Sequence, residues 1–582
     1  EIMVGIFPGM GGTTRLVRKM GAMAASPYLL EGKLLNPAKA KSAGLVDEVV
    51  PAAELLSAAK AWVLSEPAIV KPWDEKGYKM PGGEPYHPAG FMTYVGASAM
   101  INGKTQGVYP AAKALLSAAY EGAMVPFDTA IKIEARWFTN VLLNPSSEAM
   151  IRSLFINKEA LEKGANRPDV GDQTVKKVGV LGAGMMGAGI SLVSALAGIE
   201  VVLIDRDQAA ADKGKDYTTA YMDKGISRKK ATEEKKAAVL DLINATTDLD
   251  ALKDCDLIVE AVFEDVGVKA EMTKKVEAII GDDAIFATNT STLPITELAK
   301  ASVRPDQFIG IHFFSPVDKM LLVEIIRGKE TGDVAVAKSL DFVRQIRKTP
   351  IVVNDERFFY ANRCILPYVN EGVRMLQEGV APALIENAAK LVGMPLGPLQ
   401  LTDETSIDLG AKIAKATKAA LGAEYDDSAD ELIFWMEAEG RLGRKANAGF
   451  YDYDEKGKRT GLWSGLGERY AEKDEQPELV DVQHRLLFSQ VLEAVRALEE
   501  GVLMDIREGD VGAILGWGFA PWSGGPFSWL DILGAPYAAE RCDQLTAEFG
   551  DRFACPALLR EMADKGQSFY GRFGAGVDSK AA

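Results

Sequence analysis

The chain is 582 residues long and 47% hydrophobic, and 82 acidic against 66 basic residues leave it a net charge of −16. That length holds about four units of ordinary domain size, and the acidic balance, with no long basic run, excludes non-specific nucleic-acid binding, so an anionic substrate must be met by local cations. Cys255, Cys364, Cys542 and Cys555 form no C-x-x-C pair; this argues against a disulfide scaffold or a zinc site and suits a reducing, cytoplasmic compartment, and no apolar run is long enough to span a bilayer.

Residues 1–62 alternate short apolar runs with helical stretches and close on Gly44-Leu-Val-Asp-Glu-Val-Val50, a piece too small to bury a core by itself. It opens in mid-pattern on Glu1 and reads as the remainder of a larger module. From Glu66 to Tyr109, Pro, Gly and aromatic residues crowd together (Lys71-Pro-Trp, Met80-Pro-Gly-Gly, Tyr86-His-Pro) and predict an irregular linker. Apolar residues at helical spacing follow from about Pro110 to Lys163, then a polar connector from Gly164 to Thr174. Residues 63–172 are thus expected to be linker and connecting helices.

Between 173 and 354, strand and helix patterns alternate, with apolar runs VKKVGVLG from Val175, VVLID from Val201, LIVEAV from Leu257, AIFATNT from Ala284 and FIGIHFF from Phe308. This order implies an α/β domain of Rossmann type, a mostly parallel sheet covered by helices. The first run leads into Gly182-Ala-Gly184-Met185-Met186-Gly187. Gly182 permits a tight strand-to-helix turn, Gly184 lets backbone approach a pyrophosphate, and Gly187 lets the helix pack close to the strand. The N–H groups at the helix start, at Met185 and Met186, face the phosphates. Asp205 ends the second strand, where a carboxylate accepts ribose hydroxyls and repels a 2′-phosphate. The expected cofactor is NAD rather than NADP.

After Asp355 helical periodicity dominates, and it is duplicated. Asn362-Arg-Cys-Ile-Leu-Pro-Tyr-Val-Asn-Glu-Gly-Val-Arg-Met-Leu-Gln-Glu-Gly379 aligns without gaps on His484-Arg-Leu-Leu-Phe-Ser-Gln-Val-Leu-Glu-Ala-Val-Arg-Ala-Leu-Glu-Glu-Gly501, and each copy later carries a Gly/Pro turn, Gly393-Met-Pro-Leu-Gly-Pro398 and Gly524-Gly-Pro526. The copies are expected at 355–455 and 478–575.

His312 is one of three histidines and follows an apolar strand near the carboxyl ends of the sheet, where ligands bind in such folds. An alcohol losing hydride must also lose a proton, and imidazole suits that near neutral pH; Glu324 is placed to orient the ring and stabilise the imidazolium. On the residues alone, a structural histidine satisfied by a carbonyl stays open beside the catalytic one. His87 and His484 are read as structural or solvated.

Four strings in order, LGAGMMGAGI, ATNTSTLPI, GIHFFSPVDKMLLVEII and LGRKANAGFYDYD, make the segment from about 173 to 455 resemble an L-3-hydroxyacyl-CoA dehydrogenase. The second helical copy, with Gly516-Trp-Gly-Phe-Ala-Pro-Trp-Ser-Gly-Gly-Pro526, resembles the extra domain of the long multifunctional members. The resemblance implies His312 and Glu324 as the catalytic pair, Ser291 and Asn362 as hydrogen-bonding partners of the substrate, and Asn289, Glu264 and Lys269 as cofactor-side residues. Two departures bear on geometry: the family's Pro-Gly-Phe turn before the asparagine is replaced by Asp355-Glu-Arg-Phe-Phe-Tyr-Ala-Asn362, and long members commonly carry proline where Leu321 stands.

The opening, Glu1-Ile-Met-Val-Gly-Ile-Phe-Pro-Gly-Met-Gly-Gly-Thr-Thr-Arg-Leu16, resembles the second half of a crotonase-fold enoyl-CoA hydratase, and Glu1 falls on one of that family's two catalytic glutamates. The other glutamate and the oxyanion donors would lie upstream, so this stretch is not expected to hydrate enoyl-CoA alone. Together the resemblances imply oxidation of an L-3-hydroxyacyl-CoA to a 3-oxoacyl-CoA in fatty-acid β-oxidation, an acyl-CoA thioester as ligand, a thiolase subunit as partner, and an oligomer. Two alternatives remain: a Rossmann dehydrogenase of a hydroxy acid without CoA, and an assembly subunit whose dehydrogenase has decayed.

Overall fold

A computed structural model describes residues 1–65, 67 and 70–574. Glu66, the first residue of the Pro-rich stretch, and Ala575, the last of the second helical copy, lie outside the described residues. The chain divides into two compact units, residues 1–152 with 391–393, and residues 153–390 with 394 onward.

In the first unit, helices Gly12–Met20, Ala22–Leu29, Pro88–Thr105, Pro110–Gly122 and Phe127–Leu142 surround a core that includes Phe7, Val17, Leu29, Met80, Tyr94, Leu115 and Val141. Residues 1–62 therefore share their core with the segment after them. The irregular linker expected from Glu66 to Tyr109 is corrected here, because it contains the helix Pro88–Thr105. Pro88 and Gly90, which look like loop markers, serve this helix instead. Pro88 occupies the first turn, where a missing N–H is harmless, and His87 caps it by accepting from the Ala89 N–H at 3.4 Å. Gly90 lies against backbone, since a Cβ there would stand 2.0 Å from the Glu84 carbonyl oxygen. Buried Glu134 accepts the N–H groups of Gly11 (2.6 Å) and Thr14 (2.8 Å), fixing the turn that starts helix Gly12–Met20.

The second unit contains an eight-stranded sheet: β1 (Lys177–Leu181), β2 (Glu200–Ile204), β3 (Ile243–Thr246), β4 (Leu257–Glu260), β5 (Ile285–Thr288), β6 (Phe308–Phe313), β7 (Leu322–Arg327) and β8 (Thr349–Asn354). The order is β3-β2-β1-β4-β5-β6-β7-β8, and every neighbouring pair is parallel except β6 with β7. This is a Rossmann-type sheet whose strand order reverses between β1 and β4. The central strands are buried along almost their whole length, which is why they read as continuous apolar runs. Five strands were legible that way; β3, β7 and β8 join them. β3 is a short edge strand, and β7 returns beside β6 through a connection of only eight residues, 314–321.

The duplicated helices, Ala361–Gln377 and Leu479–Glu499, pack against each other with reciprocal ion pairs. Arg363 bonds Glu493 (2.9 Å) and Glu500 (2.6 Å), while Arg485, its counterpart in the other copy, bonds Glu371 (2.5 Å) and Glu378 (2.6 Å), the counterparts of those acids. Residue i meets j and j meets i, as across a two-fold interface, here within one chain. The later halves of the copies also correspond. Glu386 accepts the Leu399 N–H and the Tyr451 hydroxyl (2.9 and 2.7 Å), and Asp510 accepts the Phe527 N–H and the Tyr570 hydroxyl (2.8 and 2.9 Å). Each carboxylate thus caps the helix that follows a Gly-Pro pair.

Glu371 is fully buried and also accepts from Arg552 at 2.8 Å. Burial pushes its carboxyl up, but Arg485, Arg552 and Arg374 outweigh this and hold its pKa below the ordinary range. Its stabilisation is complete above the unfolded carboxylate's pKa and is lost as pH falls through the lower folded value. Glu371→Gln should cost about 3–5 kcal/mol in urea unfolding of the second unit, because it strands buried guanidinium charge.

Just before helix Ala361–Gln377, Phe358 and Phe359 adopt left-handed conformations, with φ of 69° and 54°. This αL conformation carries a steric cost for Phe. Comparing two truncations isolates that cost: Phe358→Gly should be more stable than Phe358→Ala by about 1 kcal/mol in denaturant melts, the reverse of the order inside a helix.

Candidate active site

The carboxyl ends of β1, β2, β4 and β5 carry the glycine loop, Asp205, the 261–264 turn and the Asn289–Ser291 turn on one edge of the sheet. At the glycine loop, Gly182 has φ of 94°, and a Cβ there would stand 2.6 Å from the Ala261 carbonyl oxygen; a Cβ on Gly187 would stand 1.8 Å from that of Gly182. Both glycines are required by close approach of backbone. Gly184 differs, since a Cβ there would meet nothing within 4 Å. It opens onto the helix Met185–Leu196, whose first turn has no side-chain cap. Open space beside uncapped N–H groups fits the pyrophosphate of a dinucleotide. Met185 is exposed there and Met186 packs partly against the core. Asp205 accepts the Ala183 N–H (2.7 Å) and the Arg206 N–H (2.7 Å), tying the end of β2 to the glycine loop with oxygen lone pairs to spare for hydroxyls.

His312 and Glu324 are direct partners across the antiparallel β6/β7 pair, so their side chains emerge on the same face. Nδ1 of His312 lies 2.7 Å from Oε2 of Glu324, with Glu324 fully buried and His312 only 5% exposed. The other carboxylate oxygen accepts the N–H groups of Tyr360 (3.3 Å) and Ala361 (2.9 Å), at the start of helix Ala361–Gln377. A carboxylate accepts, so the contact suits the tautomer with the proton on Nδ1, in which Nε2 offers a lone pair. The Phe314 ring lies 4.4 Å from the imidazole, centre to centre. His312 lies within β6 rather than after it, because pairing with β7 carries the strand through it.

Ser291 and Asn362 are brought together: the Asn362 side-chain amide donates to the Ser291 carbonyl at 2.9 Å. Asn289 accepts the Phe313 N–H at 2.8 Å and so links the end of β5 to the histidine strand. Glu264 accepts the Ser291 N–H (3.0 Å) and the Thr290 hydroxyl (2.5 Å). Burial raises its carboxyl, but Lys269 and these bonds prevail and leave its pKa below the usual range. Lys269 is only 2% exposed and bonds Glu260 (2.9 Å) and Glu264 (3.2 Å). Glu1 belongs to the first unit and is exposed.

Glu260 was not singled out by the sequence reading. It ends β4 fully buried and accepts the Lys269 ammonium, the Thr288 hydroxyl (2.7 Å) and the Val262 N–H (2.8 Å). Its signal was available: an acid closing the apolar run Leu257-Ile-Val needs a buried partner, and Lys269 follows nine residues later.

Among the described residues no cluster of His, Cys, Asp and Glu could hold a metal ion, and no helix is long and apolar enough to cross a membrane.

Known proteins match the chain in both halves. The model of the 3-hydroxyacyl-CoA dehydrogenase NAD binding domain matches residues 177–356, that of the 3-hydroxyacyl-CoA dehydrogenase C-terminal domain matches 359–453, and that of the enoyl-CoA hydratase/isomerase family matches 1–68. The fatty acid oxidation complex subunit alpha of Shewanella amazonensis is 37% identical over 98% of this chain and 81% of its own length, and that of Shewanella loihica is 38% identical over 98% and 80%. Among solved structures, a 3-hydroxybutyryl-CoA dehydrogenase from Escherichia coli K12 superposes with a TM-score of 0.59 at 25% identity, covering 68% of this chain and 99% of that one. The dehydrogenase part of multifunctional enzyme 1 from C. elegans gives 0.51 at 27% identity, covering 70% and 96%. Identity of 37% and 38% to these two alpha subunits, over 98% of this chain and at least 80% of theirs, makes the chain a member of the fatty acid oxidation complex alpha subunit family.

Proposed function

We propose that His312 is the general base in the NAD-dependent oxidation of an L-3-hydroxyacyl-CoA to a 3-oxoacyl-CoA, the reaction that the family and its dehydrogenase modules support. The observation that carries the assignment is the Nδ1–Glu324 bond of 2.7 Å. It holds the imidazole in the tautomer whose Nε2 can take the C3 hydroxyl proton, and the buried carboxylate stabilises the imidazolium that results. NAD, when bound, supplies the hydride acceptor. Gly182, Gly184, Met185, Met186 and Gly187 would hold its pyrophosphate, Asp205 its ribose, and Glu264, Lys269 and Asn289 its far end. With Lys269 buried between two carboxylates, its part there is to hold Glu264 in place.

Ser291 and Asn362 hydrogen-bond the oxygen on the reacting carbon in this reading, which gains support from their mutual bond. The substrate lies between the sheet and the first helical copy, where closure expels water and fixes the reacting distance. The domain division proposed is 1–62, 63–172, 173–354, 355–455 and 478–575, with a crotonase-type segment first; Glu1 belongs to that segment. The relatives are named as subunits of a complex, and we extend this to a thiolase subunit as partner, an oligomeric assembly and a cytoplasmic setting.

His312→Ala should abolish NADH formation from 3-hydroxybutyryl-CoA, with a loss of at least about 10²–10⁴ in kcat, while NADH binding measured by fluorescence persists; equal loss of binding would make the histidine structural. Asp205→Ala should weaken NAD and narrow the preference over NADP, read as the ratio of kcat/KM for the two cofactors; an unchanged ratio would remove Asp205 from the ribose role.

A further inference from the structure

The connection from β6 to β7, residues 314–321, is where the reacting histidine meets the cofactor side of the sheet. Phe314 lies against His312, with ring centres 4.4 Å apart, and the Ser315 hydroxyl lies 3.6 Å from the Met185 sulfur. Val317, 3% exposed, packs on the glycine-loop helix at Gly189, where an added Cβ would stand 2.7 Å from that of Val317. Asp318 accepts the Tyr217 hydroxyl at 3.0 Å from helix Gln208–Ser227.

Beneath this connection lies a lysine for which neither the fold nor the proton transfer described above has a use. Lys348 follows the left-handed residue Arg347 (φ 58°), which ends the turn after helix Asp333–Gln345, and it directly precedes β8. It is 5% exposed, and its ammonium donates to the carbonyl oxygens of Val317 (2.5 Å) and Met320 (2.5 Å). A lysine is rarely buried without such partners. The Thr349 N–H adds a bond to the Leu321 carbonyl at 2.9 Å. Burial lowers the Lys348 pKa to about 8, and the nearby Asp318 carboxylate opposes the shift.

We propose that Lys348 is a positioning residue for the dehydrogenase reaction, its buried ammonium clamping the Val317 and Met320 carbonyls so that the 314–321 connection stays fixed between the glycine-loop helix and His312. A charge-assisted pair of bonds to backbone sets the path of the chain more firmly than side-chain packing alone, and the connection meets the imidazole through Phe314 and the cofactor helix through Ser315 and Val317. Lys348 never touches substrate; it acts through Phe314, Ser315 and Val317. The inference rests on the dehydrogenase reading for its kinetic arm, whereas its structural arm stands without it.

The test uses the full chain. Lys348→Met should lower kcat by about tenfold or more, since misplacement of reacting groups by about 1 Å costs up to ~10². KM for 3-hydroxybutyryl-CoA and NADH affinity should move by less than about threefold, and the deuterium isotope effect on kcat with substrate labelled at C3 should rise. Lys348→Arg, which keeps charge and donors, should recover most of the rate, and Lys348→Gln serves where the Met variant does not fold. Hydrogen exchange should quicken in 314–321 while β1–β5 stay protected. Unchanged kcat and isotope effect in a folded Met or Gln variant would overturn the proposal, as would a uniform loss of protection across the sheet. If no form of the enzyme oxidised the thioester, the dehydrogenase reading would fail, and local exchange in 314–321 would still decide whether Lys348 clamps the connection.

Discussion

The carboxylate of Glu324 has two oxygens and directs them at different parts of the molecule. One holds Nδ1 of His312 across the β6/β7 pair, and the other accepts the N–H groups that start helix Ala361–Gln377. A single buried charge therefore fixes the orientation of the imidazole, the register of two antiparallel strands and the point at which the first helical copy leaves the sheet. An unpaired buried carboxylate would be costly. Here the cost is offset by the N–H groups of a helix N-terminus on one side and by the bond to the imidazole on the other. The arrangement also brings Asn362, one residue into that helix, onto the Ser291 carbonyl at the end of β5.

The second helical copy supports this geometry from behind. Its helix Ile506–Gly516 packs along β7 and β8, the Val352 N–H donates to Glu508 at 2.9 Å, and the Asn354 N–H donates to the Val502 carbonyl at 2.8 Å. Gly516 sits so close to Leu322 that an added Cβ would stand 2.6 Å from its side chain. The duplicate thus lies against β7, which carries Glu324, and bonds the open edge of β8 beside it. Its own first helix meets that of copy 1 through matched pairs, Arg363 with Glu493 and Arg485 with Glu371. Two copies joined in one chain give a two-fold-like interface without the association cost that two separate chains would incur.

How much of this was legible depended on how each element is specified. The glycine loop and the five buried strands were legible because close backbone approach and two-sided burial leave few residue choices. Strand β7 was not separated as a strand, yet its Glu324 was identified, since the string from Gly310 to Glu324 carries a family resemblance that does not depend on naming the strand. Helix Pro88–Thr105 was hidden because Pro88 and Gly90 serve its start and its packing while mimicking loop composition. Lys348 and Glu260 were invisible for another reason. A buried charge is recognised by its partners, and those of Lys348 are carbonyls that are distant in sequence and carry no side-chain signature.

The central claim is that Glu324 fixes His312 with its proton on Nδ1 and Nε2 open to the substrate. With only three histidines in the chain, nitrogen-15 NMR of the imidazoles tests it most directly, with His312→Gln identifying the signal. The account predicts a protonated, exchange-protected Nδ1 and an unprotonated Nε2 at neutral pH, both lost as a distinct pair in Glu324→Gln. A His312 signal with the proton on Nε2, or one indifferent to Glu324→Gln, would contradict it.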